Sequence, residues 1–312
     1  MMIQCTFRQL EYFAAAAQHG GASRAAAALH VSQPSISKAI AELESLWGQQ
    51  LFVRMPAKGL ELTPAGAERQ RQVRALLAQA ATLNGPVSPG LGGLLRVGCL
   101  STLGPRYLPA ILARMATEFP GIEVRLEESD TETLLGRLER GALDVALLYD
   151  LGLARKVQLE PIAELWPYAL LPAGHPLARR ANVALADLAQ EPFVLINLPG
   201  SREYFLSLFR GVGVAPLVVR ETGSLEMARG MVANGLGVSV LTTRPVHDVA
   251  EDGQQLVTRP LRSPVRQQSV VLAQPLGGCA QPDLAAAFGR MARAVFTKAG
   301  RGRVRTQSHS AR

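Results

Sequence analysis

Ala25-Ala26-Ala27-Ala28-Leu29-His30-Val31-Ser32-Gln33-Pro34-Ser35-Ile36-Ser37-Lys38 reads as two short helices joined by a tight turn at His30-Val31. Ser32 is a good cap for the second helix, and Pro34 fits its first turn, where a missing N–H costs nothing. Ile36, Ile40, Leu43 and Trp47 follow at steps of four, three and four, so they share one buried face. Gln33, Ser35, Ser37 and Lys38 lie near the start of that helix, largely off the face. Such a start offers donors and acceptors to base edges in a major groove, and its dipole favours phosphate. Ser23 is expected to cap the shorter helix, with Arg24 beside it.

Working outward, Phe7, Leu10, Phe13, Ala14 and Ala17 mark an earlier helix that stops at His19-Gly20-Gly21. On the other side, Leu51-Phe52-Val53-Arg54 and Leu60-Glu61-Leu62-Thr63 flank a Pro/Lys/Gly segment and read as a hairpin, or wing. Arg54 and Lys58 are the phosphate candidates there. Thr63-Pro64 starts a further helix, with Val73, Leu76, Leu77 and Ala80 on its apolar side. A lone amphipathic helix needs a partner, and a second copy of the chain supplies one.

These motifs, taken in order, resemble the LysR-type transcriptional regulators. Phe7-Arg8-Gln9-Leu10-Glu11-Tyr12-Phe13 is similar to the family's opening, and Ala25 through Ser37 to its helix-turn-helix core. Ile40-Ala41-Glu42-Leu43-Glu44, Leu51-Phe52-Val53-Arg54 and Leu62-Thr63-Pro64-Ala65-Gly66 continue in register. Ala57-Lys58-Gly59-Leu60 departs from it, because the family often carries two arginines in the wing. The resemblance implies binding to double-stranded promoter or operator DNA, self-assembly as a homodimer or homotetramer, and a small-molecule co-inducer. RNA polymerase is a further candidate partner, and no cofactor or metal is implied.

From Leu94 the pattern changes to strands alternating with helices. Leu95–Gly98, Ile122–Leu126 and Val145–Leu148 are strands, and helices over 108–119 and 134–138 separate them, which predicts a parallel sheet with right-handed crossovers. A second set begins near Trp166 and includes strands at Phe193–Ile196, Leu217–Val219 and Val238–Leu241. Ser269–Leu272 is expected to return to the first lobe, and Leu284–Phe296 to close it as a helix. Two lobes joined by two crossings resemble the periplasmic-binding-protein fold that the family uses for sensing.

The expected fold class is therefore α+β and multidomain. A winged helix-turn-helix spans 1–63, and a linker helix and Pro/Gly-rich hinge span 64–90. A two-lobed α/β effector-binding domain covers 91–298, with lobe I at about 91–163 and 269–298 and lobe II at about 164–268. A disordered basic tail is expected over 299–312. Ligands of open parallel sheets sit beyond the carboxyl ends of strands, where helix N-termini supply free amides. Ser101-Thr102 and Asn197 through Arg202 both lie after a strand and before a helix. Ser101, Thr102, Ser201 and Arg202 are thus effector candidates for a small polar or anionic metabolite, with Arg202 as counter-charge. Thr131 and Tyr149 are weaker candidates carried by the resemblance.

Composition narrows the alternatives. At 48% hydrophobic and 19% charged, the chain is ordinary for a globular protein. Its net charge of +8 suits a polyanionic partner, but residues 1–90 hold eight Lys/Arg against five Asp/Glu, only +3. Arg301, Arg303, Arg305 and Arg312 carry four of the eight positive charges in excess. The start lacks a signal peptide and no apolar run reaches spanning length, so a cytoplasmic location without membrane contact is expected. His19, His30, His175, His247 and His309 have no metal-ligand spacing. Gly211-Val212-Gly213 and Gly235-Leu236-Gly237 read as helix ends rather than phosphate loops, and no enzyme is expected. Cys5, Cys99 and Cys279 are isolated. Peroxide-sensing relatives use two cysteines in the second lobe, whereas residues 160–270 here contain none. A non-specific architectural DNA binder would not need a two-lobed cleft.

Overall fold

A computed structural model of the chain describes residues 4–55, 59–82, 91–153, 157–262 and 265–307. It opens with α1 (Phe7–His19), α2 (Ala22–Leu29) and α3 (Gln33–Trp47), then the hairpin β1 (Phe52–Met55) and β2 (Gly59–Leu62), then α4 (Pro64–Thr82). Gly20 ends α1 in the left-handed conformation, and Ser32 caps α3 by accepting from the Ser35 N–H. Thr63 caps α4, its hydroxyl oxygen accepting from Gly66 N at 2.9 Å. The short helix departs from expectation at one point. Its cap is Gly21, so Ser23 lies inside the first turn with an exposed side chain. The core of this unit is Phe13, Ile36, Leu43 and Leu51, all fully buried, with Phe13 edge-on to Trp47 and Phe52.

Val73 of α4 is buried in that same core and Leu77 packs against it, so the chain itself covers half of the expected dimer stripe. Leu76 is left 44% exposed. The other side of α4 meets the next domain. Arg74 Nη2 lies 2.9 Å from Asp144 Oδ1, and Asp144 also accepts from Arg96 N at 2.8 Å. Asp144 is 1% exposed, and burial draws the Arg74 guanidinium below its usual range while Asp144 opposes that shift. Gln70, also buried, donates to the Arg140 carbonyl.

Lobe I holds β3 (Gly92–Leu100), α5 (Gly104–Glu118), β4 (Gly121–Ser129), α6 (Thr131–Glu139), β5 (Val145–Tyr149) and β6 (Gln158–Leu165). Lobe II follows with β7 (Tyr168–Pro172), a short 3-10 turn (Pro176–Arg179), α7 (Leu185–Leu188), β8 (Pro192–Ile196), α8 (Ser201–Arg210), β9 (Leu217–Thr222), α9 (Leu225–Ala233), β10 (Ser239–Leu241) and β11 (Leu256–Pro260). The chain then returns through β12 (Gln268–Gln274) and ends on α10 (Pro282–Gln307). Lobe I is a five-stranded sheet in the order β4-β3-β5-β12-β6. The expected parallel part, β4-β3-β5, is joined by antiparallel β12, which pairs with β5 and β6. Each lobe has its own apolar core.

The helical backbone of α10 continues to Gln307, past the start of the tail expected at 299. Lys58 and most of the expected hinge, residues 83–90, lie outside the described residues. No helix among the described residues is long and apolar enough to cross a membrane.

Candidate functional site

Two surfaces carry chemistry. The first is the start of α3. Gln33, Pro34 and Ser35 are exposed at its N-terminus, where Ser32 meets the Ser35 N–H. Gln33 Nε2 donates to Ser37 Oγ at 2.7 Å, and the Ser32 and Ser35 hydroxyls share a hydrogen bond of 2.7 Å. These exposed bonds leave acceptors and donors open to exchange with a base edge. Lys38 is 79% exposed and lies 3.8 Å from Glu42, a contact too weak to hold it away from phosphate. Arg24 behaves differently from its neighbours. Its Nε donates to His19 O and its Nη2 to Gly20 O, both at 2.6 Å, so it ties α2 to the end of α1. Leu60 N donates to Gly20 O at 3.2 Å, which anchors the wing to the same corner. Arg54 is on β1, paired with Leu60 across the hairpin.

The second surface is the cleft between the lobes. Ser101 and Thr102 follow β3 and precede α5, as expected, and both line a cavity of about 430 Å3. Thr102 is 7% exposed, and its Oγ1 has no well-formed hydrogen bond, although it sits beside the Tyr149 hydroxyl. Tyr149 ends β5 and lies behind the cavity. Its hydroxyl shares a 2.6 Å hydrogen bond with Thr243 Oγ1, which joins lobe I to lobe II. Burial pushes the Tyr149 phenol up to about 12, so it stays neutral and keeps its proton for hydrogen bonding. Thr242 continues the seam by donating to Gln268 Oε1 at 2.7 Å.

The other sequence candidates fall outside that lining. Thr131 is buried at the first residue of α6, behind Asp130, which caps the helix by accepting from Thr133 N at 2.9 Å. Ser201 is buried at the first residue of α8. Leu151, which packs into both lobe cores, presses against Gly200 just before it. Arg202 is 45% exposed and paired with Glu221 at 3.1 Å, a surface contact that occupies its charge. The cavity is lined instead by Arg106, Arg229 and Arg244, none of which stood out in the sequence. Ser224 was legible in principle, because a serine between a strand and a helix repeats the placement of Ser101.

Cys99 and Cys279 are poorly placed for redox chemistry. Cys99 is fully buried, and burial followed by Glu128 pushes its thiol up to about 12. Burial also pushes Cys279 up to about 11. A thiol that holds its proton is a weak nucleophile towards peroxide. Among the described residues no group of His, Cys, Asp or Glu could hold a metal ion.

Comparison with known proteins agrees with this architecture. Residues 7–67 match the model of the bacterial regulatory helix-turn-helix protein, lysR family, and residues 88–297 match the LysR substrate binding domain. The chain is 34% identical over 242 residues to the uncharacterized HTH-type transcriptional regulator YnfL of Escherichia coli K12, covering 75% of this chain and 81% of that one. It is 36% identical over 244 residues to the probable hydrogen peroxide-inducible genes activator of Mycobacterium avium, covering 76% and 78%. Among solved structures, HinK, a LysR family transcriptional regulator from Pseudomonas aeruginosa, is 36% identical. That match has a TM-score of 0.62 and covers 93% of this chain and 98% of HinK. Members of this family are regulators rather than enzymes. With both domains matched in order, and a helix-turn-helix tied to a two-lobed sensor, the chain belongs to the LysR family of DNA-binding transcriptional regulators.

Proposed function

We propose that α3 reads a specific operator and that a small polar or anionic co-inducer in the interlobe cleft alters the DNA-bound assembly. The Thr102 hydroxyl, buried at the cleft wall without a well-formed hydrogen bond, carries the second half of this reading. An orphaned buried polar group costs about 1–3 kcal/mol, which a ligand group can relieve. The Tyr149–Thr243 bond makes the lobes sensitive to what lies between them. A ligand that prefers one arrangement of the lobes shifts the population toward it.

Gln33→Ala is expected to lower the preference for operator over random DNA by about 1–3 kcal/mol, the worth of a bidentate base contact. Lys38→Ala should instead weaken all sequences alike and reduce the salt slope by about one. Competition binding at several salt concentrations separates the two, and an unaltered preference in the Gln33 variant removes it from base readout.

Self-association is assigned to the exposed side of α4. Leu76→Asp places a charge where apolar contact is worth about 1.5–3 kcal/mol per leucine. Sedimentation should therefore find a looser oligomer together with weaker operator binding. An unchanged oligomer would take α4 out of the interface.

A further inference from the structure

Gly20 O, at the end of α1, accepts from two donors on different elements: Arg24 Nη2 of α2 at 2.6 Å and Leu60 N of β2 at 3.2 Å. Arg24 Nε donates to the neighbouring His19 O, also at 2.6 Å. The guanidinium therefore spans two adjacent carbonyls at a helix C-terminus, where a cation and the helix dipole attract. Such charge-assisted bonds are about twice as strong as neutral ones. They fix the position of Gly20 O, and with it the acceptor that the wing uses.

Glycine lets the wing come this close. Gly59, the first residue of β2, has φ +89°, and a Cβ there would lie 2.6 Å from Gly20 O and 3.3 Å from Arg24 Nη2. Any side chain at that position would push β2 off the corner. Leu60, the residue held, is the partner of Arg54 across the hairpin, so the corner also sets where the Arg54 backbone stands. Charge makes that placement matter. Residues 1–90 carry only +3, so few cations there are available to phosphate, and each counts according to where it is held.

We infer that Arg24 is a positioning residue for DNA binding: it fastens the wing to the helix-turn-helix through Gly20 O, and so places Arg54 for phosphate, without itself touching DNA. Sequence alone sets Arg24 among the DNA contacts, beside Ser23, and its two bonds to carbonyls give it a different duty. A lysine cannot replace it, since an ammonium on a flexible stem lacks the planar fork that reaches both carbonyls. The inference rests on the DNA-binding reading above but not on operator specificity, so either can fail while the other stands.

The test titrates the full chain with a random-sequence duplex at several salt concentrations, and repeats site selection from a random library. Arg24→Met should lower affinity for the duplex by about 3–10-fold and flatten the salt slope by about one, the weight of one phosphate contact. The bases selected through α3 should be unaltered. Arg24→Lys should match Arg24→Met, because it keeps the charge and loses the fork. Gly59→Ala removes no charge, yet should show the same loss. Adding Arg24→Met to Arg54→Ala should cost nothing beyond Arg54→Ala alone. Deuterium exchange of the Leu60 amide should quicken in both Arg24 variants. Undiminished binding by Arg24→Lys and Gly59→Ala, with loss only in Arg24→Met, would mean that Arg24 meets phosphate directly and would overturn the positioning role. So would losses that add between Arg24→Met and Arg54→Ala, an unchanged Leu60 amide, or undiminished binding by Arg24→Met. An altered base preference would move the effect of Arg24 to α3 and overturn it too. If circular dichroism finds Arg24→Met unfolded, Arg24→Lys and Gly59→Ala decide the matter.

Discussion

Asp144→Ala is expected to destabilise the chain by about 3–5 kcal/mol, the cost of breaking a buried ion pair from one side. Asp144 is 1% exposed and the Arg74 side chain 12% exposed, so water cannot take over for the missing carboxylate. Arg74 would keep an uncompensated charge in the interior, and the Arg96 N–H would lose its acceptor. Because Arg74 stands on α4 and Asp144 just before β5, the same change should loosen the linker helix from lobe I. Replacing both partners with apolar residues, Arg74→Met with Asp144→Leu, should cost much less, because no buried charge is then stranded. Urea unfolding of the single and double variants checks this. A single-variant loss under about 1 kcal/mol would mean that the pair is solvated and does not hold the junction.

Phe13→Ala should cost about 3–5 kcal/mol, and it should do so in one part of the molecule only. Phe13 is fully buried, with ring centroids 6.1 Å from Trp47 and 5.6 Å from Phe52, both edge-on. Removing it opens a void beneath the face of α3 that carries Ile36 and Leu43. The helix that presents Gln33 would then lose its support, and operator binding should fall with it. The two lobes have separate apolar cores and should melt as before. Differential scanning calorimetry, read as more than one transition, tests this. An equal drop in every transition would mean that the three cores unfold together.

The parts legible in the sequence are those decided by short-range chemistry. Ser32 before Gln33-Pro34, Thr63 before Pro64, and glycine after α1 each stand where the backbone needs them. The parallel strands β3, β4 and β5 were visible because buried strands are apolar runs between helices. Ser23 misled because a cap is a backbone position, and Gly21 held it first. Strand β6 was hidden by Pro161, which is tolerated because β6 is the sheet's edge and shifts register there. Val73 and Leu77 carry the spacing of an interface, yet spacing cannot say whose core they join. Arg202 and Arg229 exchange their expected roles in three dimensions. The first stands after a strand, as a ligand residue would, and is met by Glu221. The second sits inside an amphipathic helix, where an arginine reads as solvated, but the fold turns it inward.

Sequence-specific DNA recognition by α3 is tested most directly by selecting binding sites from a random double-stranded library with the full chain at physiological salt. The expected result is one enriched operator, bound at least about 10³-fold more tightly than random DNA. Selection repeated with Gln33→Ala should lose base preference at a defined position while retaining most of the phosphate-driven affinity. Equal binding to all sequences, with only a salt-dependent affinity, would contradict the assignment of α3 as a recognition helix.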